Sequence, residues 1–259
     1  MISYCIAVYR PAYARRLIAD LGRKTSAPFE VLLWLNVDDP GLDSFLGEQL
    51  ALGVPIAVVG RTPENIGMSA YARLFRAARY PLIAQIDDDV LCVSRGIAER
   101  AVAIFQRRPD VRQIVADVWQ DEHTTGARPP LAQYRCVDPH AGLYDGPIDG
   151  WFSIYHRSIL PILLSLPIAP YCCLGAAVRR QLPRRGQRGL LCTQMKVFHA
   201  VGPAYASLFG MLDFEIAKYQ KLGRTDIVKW YQTTPPTAVA ELEERFRSAT
   251  AVLDGAGPW

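Results

Sequence analysis

The stretch Tyr80–Leu91, YPLIAQIDDDVL, decides how this chain is read. The run PLIAQI leads straight into three consecutive carboxylates, Asp87, Asp88 and Asp89. A short, near-continuous apolar run of this kind marks a strand buried on both faces. Carboxylates at the end of such a strand repel one another, and their burial is costly unless a cation neutralises them. A hard divalent cation does so with oxygen ligands and keeps open positions for a substrate's phosphate oxygens. The plain alternative is a solvated acidic turn. The buried strand ahead of the aspartates favours the cation.

Toward the N-terminus, strands alternate with helices. ISYCIAVYR reads as a strand, Pro11 opens a helix, and FEVLLWL (Phe29–Leu35) is a second strand ending in the polar loop NVDDPG. LDSFLGEQLALG is a helix that stops at Gly53, PIAVVG is a third strand, and SAYARLFRAARY is a helix preceded by ENIG. This alternation predicts a parallel sheet with helices on both faces. Ligands in such sheets sit beyond the carboxyl ends of the strands. The loops at Asn36–Asp39, Glu64–Gly67 and Asp87–Asp89 therefore converge on one rim.

Further on, RGIAERAVAIFQRRP reads as a helix and VRQIVADVW as a strand. A long loop with a short hairpin follows, and then IDGWFSIYHRSIL, a strand turning into a helix. The next apolar segment is broken by Pro161, Pro167 and Pro170, and RRQLPRRGQRG reads as a mobile loop after a short helix. LLCTQMKVFHAVG is a late strand ending at His199. MLDFEIAKYQKLGRTDIVKWYQ reads as one strong helix, acidic early and basic late. TAVAELEERFRSATAV is expected as a final exposed helix.

The 259 residues are half hydrophobic and 21% charged, a globular composition with room for one large domain. No apolar run approaches the roughly 18 residues of a spanning helix. The N-terminus MISYCIAVYR lacks the basic region of a secretory signal. The six cysteines, the adjacent Cys172 and Cys173 among them, form no C-x-x-C pair and read as reduced thiols of a cytoplasmic protein. Net charge is +4, unevenly spread: Gly150–Leu212 has no Asp or Glu and carries +7, which leaves −3 elsewhere. Basic character confined to one segment is not the mark of a general nucleic-acid-binding surface, and no nucleic-acid partner is expected.

With these residues in view, the chain resembles glycosyltransferases of the GT-A fold, in particular the family-2-like group. In those enzymes a D-x-D motif at a strand end holds Mg²⁺ or Mn²⁺, and the metal grips the diphosphate of a nucleotide-sugar. The segment ENIGMSAYARLFRAARYPLIAQIDDDV has the matching order: Asn65 and Gly67, a helix, a strand, then the aspartates. The resemblance covers the first 100 or so residues well, the next 110 loosely and the last 40 poorly. It implies an α/β, Rossmann-like, mostly parallel central sheet with helices on both faces and a C-terminal helical extension. It also implies a nucleotide-sugar-binding half (1–110), an acceptor-binding half of the same domain (111–232), and a C-terminal helix and tail (233–259).

Carried over by position, Asp87 and Asp89 match the ends of the D-x-D, with His199 completing the metal site. Asp88 is placed near the ribose or sugar. Ala7, Tyr9 and Arg10 match the loop that touches base and ribose, with Asn36, Asp38, Asn65 and Gly67 beside it. Asn36 stands where the family commonly has Asp. Gly150 and Trp151 match an acceptor-side strand, and Arg184 and Arg185 suit the diphosphate or an anionic acceptor. Many inverting members carry a Glu-Asp pair supplying the general base. The comparable place here, YCCLGAAVRRQL, has no carboxylate. Asp149 and Asp213 are the candidate substitutes, and a retaining reaction without that base is the other reading. The expected cofactor is Mg²⁺ or Mn²⁺. The expected partners are a UDP-, GDP- or dTDP-sugar and a small-molecule, glycan or lipid-linked acceptor. Two rival classes are a nucleotidyltransferase or related phosphate enzyme, and a peripheral membrane module using Ile159–Val178 beside the arginines.

Overall fold

The computed structural model describes residues 1–124, 128–166 and 173–255. Pro167, Pro170, Tyr171 and Cys172, used in the sequence reading, lie outside the described residues. The N-terminal third alternates as expected: β1 (Ile2–Val8), α1 (Pro11–Lys24), β2 (Phe29–Leu35), α2 (Pro40–Ala51), β3 (Ile56–Arg61), α3 (Ser69–Ala77) and β4 (Leu82–Asp87). Then come β5 (Val90–Val93), α4 (Ile97–Arg107), β6 (Val111–Val118), the hairpin β7 (Arg135–Asp138) and β8 (Leu143–Asp145), and β9 (Phe152–His156). The remainder is α5 (Leu160–Ser165), α6 (Leu174–Gln181), β10 (Arg188–His199), α7 (Pro203–Leu208), α8 (Leu212–Lys221), α9 (Thr225–Thr233) and α10 (Val239–Asp254).

The strands form one sheet in the order β3-β2-β1-β4-β9-β6-β10-β8-β7, with β5 paired to β10. β1, β2, β3, β4, β6, β7 and β10 run one way, and β5, β8 and β9 run the other. The sheet is therefore mostly parallel. β1 and β4 are central and almost wholly buried because both their faces are covered, with Ser3 and Gln85 as buried polar residues among apolar ones. One face packs against α1 and α4 through Leu17, Ile18, Leu21, Ala101 and Ile104. The other packs against α3, α5 and α6 through Leu74, Phe75, Ile162, Leu163 and Val178. Among the described residues no helix is long and apolar enough to cross a membrane, and no disulfide forms.

Four local readings change. VLCV (Val90–Val93), assigned to no element from sequence, forms a short strand because it pairs antiparallel with β10. It is pinned from behind by α1: Asp20 accepts from Val93 N at 2.8 Å, and Lys24 Nζ donates to Val93 O at 2.6 Å. The helix expected over Met211–Gln232 is two helices, since Gly223 takes a left-handed φ of +67° and turns the chain. RRQLPRRGQRG ends α6 and then forms a tight 3₁₀ turn at Pro183–Arg185. The last helix is not merely exposed: Leu242, Ala249 and Leu253 pack in the cluster that holds Phe198 and Tyr205.

Candidate active site and metal centre

Asp87 is the last residue of β4, and Asp88 and Asp89 form the turn into β5. The three side chains do three different things. Asp88 is 4% exposed and faces the loop after β1. Its Oδ2 accepts from the backbone N–H groups of Tyr9 and Arg10, each at 2.6 Å, and its Oδ1 accepts from Arg10 Nη1. Asp88 thus holds the Tyr9–Arg10 loop in place. The same guanidinium lies 3.3 Å from Asp89 Oδ2 and 2.5 Å from Glu215 Oε1. Burial works against the Arg10 charge, but Asp89, Asp88 and Glu215 outweigh it and raise its pKa.

His199, at the end of β10, reaches Asp89 because β5 pairs with that strand's end: His199 sits opposite Val90, and Ala200 N donates to Asp89 O at 2.8 Å. His199 Nε2 is 2.9 Å from Asp89 Oδ1. Burial disfavours charge on both. For Asp89 the cations Arg10 and His199 prevail and hold its carboxyl well below the usual range. For His199 the Asp89 carboxylate prevails and raises its pKa. Asp87 is pushed up to about 7 by burial and then by the neighbouring Asp89 carboxylate.

One ligand atom from each of Asp87, Asp89 and His199 lies within 4.8 Å of the others. Two carboxylates and an imidazole form a donor set that a divalent cation accepts, and the oxygens suit Mg²⁺ and Mn²⁺. His199 Nδ1 is buried without a partner, and Asp87 is a carboxylate that burial drives toward its neutral form. Both features fit a cation at this point.

These residues close one end of a cavity of about 420 Å³. The uncharged end is formed by Ala7, Asn36, Asn65, Gly67, Met68 and Tyr71. Gly67 has a φ of +52°, and its N–H is held at 2.8 Å by Asn65 Oδ1. Asn36 is 2% exposed; its Oδ1 accepts from Ile66 N at 3.2 Å, while its Nδ2 has no partner and is a donor available to a ligand. α8 and the turn after it add Lys218, Tyr219, Leu222 and Arg224 to the lining, and Lys218 is near enough to Asp89 to help hold its carboxyl in the charged form. Lys218 Nζ is 2.6 Å from Glu215 Oε2. Glu215 therefore ties together Arg10 and Lys218.

Of the residues singled out from sequence, Ala7, Tyr9, Arg10, Asn36, Asn65, Gly67, Asp87, Asp88, Asp89 and His199 line this cavity. Asp38, Asp149, Gly150, Trp151, Asp213, Arg184 and Arg185 are not in its lining. Asp149 is half-buried and close enough to Asp87 to help raise its pKa, and it accepts from Gly150 N at 2.8 Å. Trp151 is core: it is 7% exposed and its Nε1 donates to Ala116 O at 2.7 Å. Asp213 points to solvent in the first turn of α8. Arg184 and Arg185 are exposed in the turn before β10, the end of that strand opposite to His199. Sequence reasoning missed Lys218 and Arg224 and ranked Glu215 as a helix-start residue. Glu215 and Lys218 are three apart and read as an ordinary surface pair of α8.

No protein-family model and no curated protein matches the sequence. Solved structures do match the fold. The mannosyltransferase PcManGT of Pyrobaculum calidifontis, in complex with GDP-Man and Mn²⁺, aligns with a TM-score of 0.59 at 13% identity, over 99% of this chain and 65% of that one. S. aureus TarS 1–349, in complex with UDP-GlcNAc, aligns at 0.56 and 12% identity, over 89% of this chain and 71% of that one. GalNAc-T7 with UDP, GalNAc and Mn²⁺ aligns at 0.56 and 13% identity, over 97% of this chain and 55% of that one. At these identities the likeness is one of architecture, and by that measure the chain has the GT-A fold of the glycosyltransferases it aligns with.

Proposed function

We propose that this chain is a metal-dependent glycosyltransferase moving a sugar from a nucleoside-diphosphate sugar to a hydroxyl acceptor, with UDP-sugars favoured over GDP- and dTDP-sugars. The observation that carries the reading is the Asp87–Asp89–His199 cluster at the carboxyl ends of the strands, lining one cavity together with Lys218 and Arg224. Asp87, Asp89 and His199 hold Mg²⁺ or Mn²⁺. That ion, when bound, offsets charge on the departing diphosphate. Lys218, oriented by Glu215, and Arg224 place cationic groups along the same diphosphate. The uncharged end receives the nucleoside, with Asn36 Nδ2 donating to it.

The chain spans 65% of the first of these structures, and its acceptor chemistry belongs wholly to the proposal. Asp149 is the candidate base for the acceptor hydroxyl: it lies beside Asp87 at the entry to β9, whereas Asp213 faces solvent. Residues 1–110 form the donor half and 111–232 the acceptor half, with α8, from the second, closing over the first. The nucleotidyltransferase reading gains no observation of its own.

The test is a thermal-shift panel of UDP-, GDP- and dTDP-sugars with and without Mn²⁺, on wild type and Asp89→Ala. Wild type is stabilised by one nucleotide class only when metal is present. Asp89→Ala loses that stabilisation and loses donor hydrolysis or transfer by about a hundredfold or more, with an unchanged circular-dichroism spectrum. Full activity in Asp89→Ala, or no metal-dependent stabilisation by any of the sugars, refutes the proposal.

A further inference from the structure

The charge of this molecule is divided between the two ends of its sheet. The rim at the carboxyl ends of the parallel strands carries Asp87, Asp88 and Asp89. The opposite edge carries arginine. Arg76 lies in the last turn of α3, just before β4 begins, and Arg107 in the last turn of α4, just before β6 begins. Arg180 ends α6, Arg184 and Arg185 form the following turn, and Arg188 opens β10 opposite Val111, the first residue of β6. All six are exposed.

They come from three stretches far apart in the chain, and the sheet register assembles them. β4, β9, β6 and β10 are consecutive neighbours in the sheet. Arg157, just past β9, donates to the carbonyls of Ala78 and Tyr80 and so ties that strand's end to the end of α3. On the other face, the Phe105 ring of α4 lies 5.8 Å from the His156 ring of β9. Among the described residues, only Arg188 of the six has a carboxylate within ion-pair reach, Asp110 at 3.7 Å.

We propose that this arginine edge docks the protein on an anionic lipid surface. The guanidiniums come from the sheet and from helices on both of its faces, so they spread in two dimensions, as lipid phosphates do, rather than along one line as a nucleic-acid backbone does. Apolar groups stand beside them. After Arg157, Pro161 is exposed, and Leu160, Leu164 and Leu166 pack partly on the core and keep part of their surface outside. Such side chains enter the headgroup boundary of a bilayer and have no counterpart on a duplex. Each cation held near an anionic membrane strengthens binding roughly fivefold. Docked this way, the mouth of the cavity faces away from the lipid. β10 carries register shifts, and from Arg188 to Val197 it covers only the eight residues of β6, so at about 3.3 Å per residue the mouth stands roughly 25 Å from the bilayer. The acceptor then arrives from the aqueous side or projects that far.

The experiment is flotation of the full chain with vesicles of phosphatidylglycerol and phosphatidylcholine, and of phosphatidylcholine alone, across a salt series. Two charge reversals are compared, Arg184→Glu/Arg185→Glu and Arg76→Glu/Arg107→Glu. Arg247→Glu, exposed on α10, serves as the control. Wild type and Arg247→Glu bind the anionic vesicles only, and binding falls with salt. Both double variants lose at least about tenfold in affinity. The Arg76/Arg107 pair matters most, because only the folded sheet puts it beside Arg184 and Arg185. An unchanged melting temperature keeps the result separate from misfolding, and unchanged Mn²⁺-dependent nucleotide stabilisation keeps it separate from the donor site. No binding to anionic vesicles, full binding by Arg76→Glu/Arg107→Glu, or displacement from vesicles by an equal charge of double-stranded DNA overturns the proposal.

Discussion

Asp88 sits between two residues assigned to a metal, yet its own oxygens are committed to protein. Replacing it by alanine strands the buried N–H groups of Tyr9 and Arg10, each bonded to it at 2.6 Å. A buried donor left unsatisfied costs about 1–3 kcal/mol. Arg10, 6% exposed, also loses one of its three carboxylate neighbours. Losing the sole partner of a buried charge costs about 3–5 kcal/mol, but Asp89 and Glu215 remain, so only part of that applies. The contributions overlap, and the sum expected for Asp88→Ala is about 4 kcal/mol, or roughly 10 °C in melting temperature for a chain of this size. Asp88→Asn keeps one oxygen for the two N–H groups and loses about half as much. The assay is thermal and urea unfolding in EDTA, so that metal affinity does not enter. Asp89→Ala, measured alongside, removes no backbone acceptor of this kind and falls less. If Asp88→Ala melts within 2 °C of wild type, the account of Asp88 as the strut of the Tyr9–Arg10 loop is wrong.

Three further outcomes are expected. Lys218→Ala weakens Mn²⁺-dependent binding of nucleoside diphosphate about tenfold or more in calorimetry, and leaves Mn²⁺ binding alone unaffected. Gly175→Ala puts a Cβ 2.5 Å from the carbonyl carbon of Asp149 and 2.7 Å from its oxygen, so α6 must lift from the Asp149–Gly150 segment ahead of β9; urea unfolding shows a loss of about 2–3 kcal/mol. Asp87→Asn stabilises the protein in EDTA. The folded-state pKa of Asp87, about 7, lies above its ordinary value of 3.8, so wild type loses stability as pH rises between those values and the variant does not. The advantage is absent near pH 4 and reaches about 2 kcal/mol above pH 7, discounted because the side chain faces a cavity open to water. Saturating Mn²⁺ reverses the order by stabilising wild type alone, and an Asn variant less stable than wild type in EDTA at pH 8 contradicts this.

Much of the donor side was legible because its signals are local. A strand that must be apolar on both faces reads as a continuous run, and a polar loop must follow it; Val8, Leu35 and Ile86 each end such a run, and Tyr9, Asn36 and Asp87 follow. The metal candidates needed one long-range step, the pairing of β5 with β10, and His199 could be named only because the GT-A resemblance implied it. Trp151 read as an acceptor-side residue, and the sequence could not separate that role from core filling because aromatic side chains serve both sugars and cores. Only its bond to Ala116 O separates the two.

The sequence by itself determined the order of strands and helices from β1 to β4, the rim on which the polar loops meet, and the carboxylates at its centre, because periodicity and chain order carry that information. Tertiary structure alone decided which acidic group does what. Asp88 became a strut and Glu215 a bridge between Arg10 and Lys218, 205 residues separating Glu215 from Arg10. It also decided that Arg184 and Arg185 face the edge away from the cavity, in company with Arg76 and Arg107. The physical reason is common to all of these. A charge's role depends on which opposite charges, donors and water it meets, and those neighbours are set by sheet register and helix packing rather than by nearness along the chain.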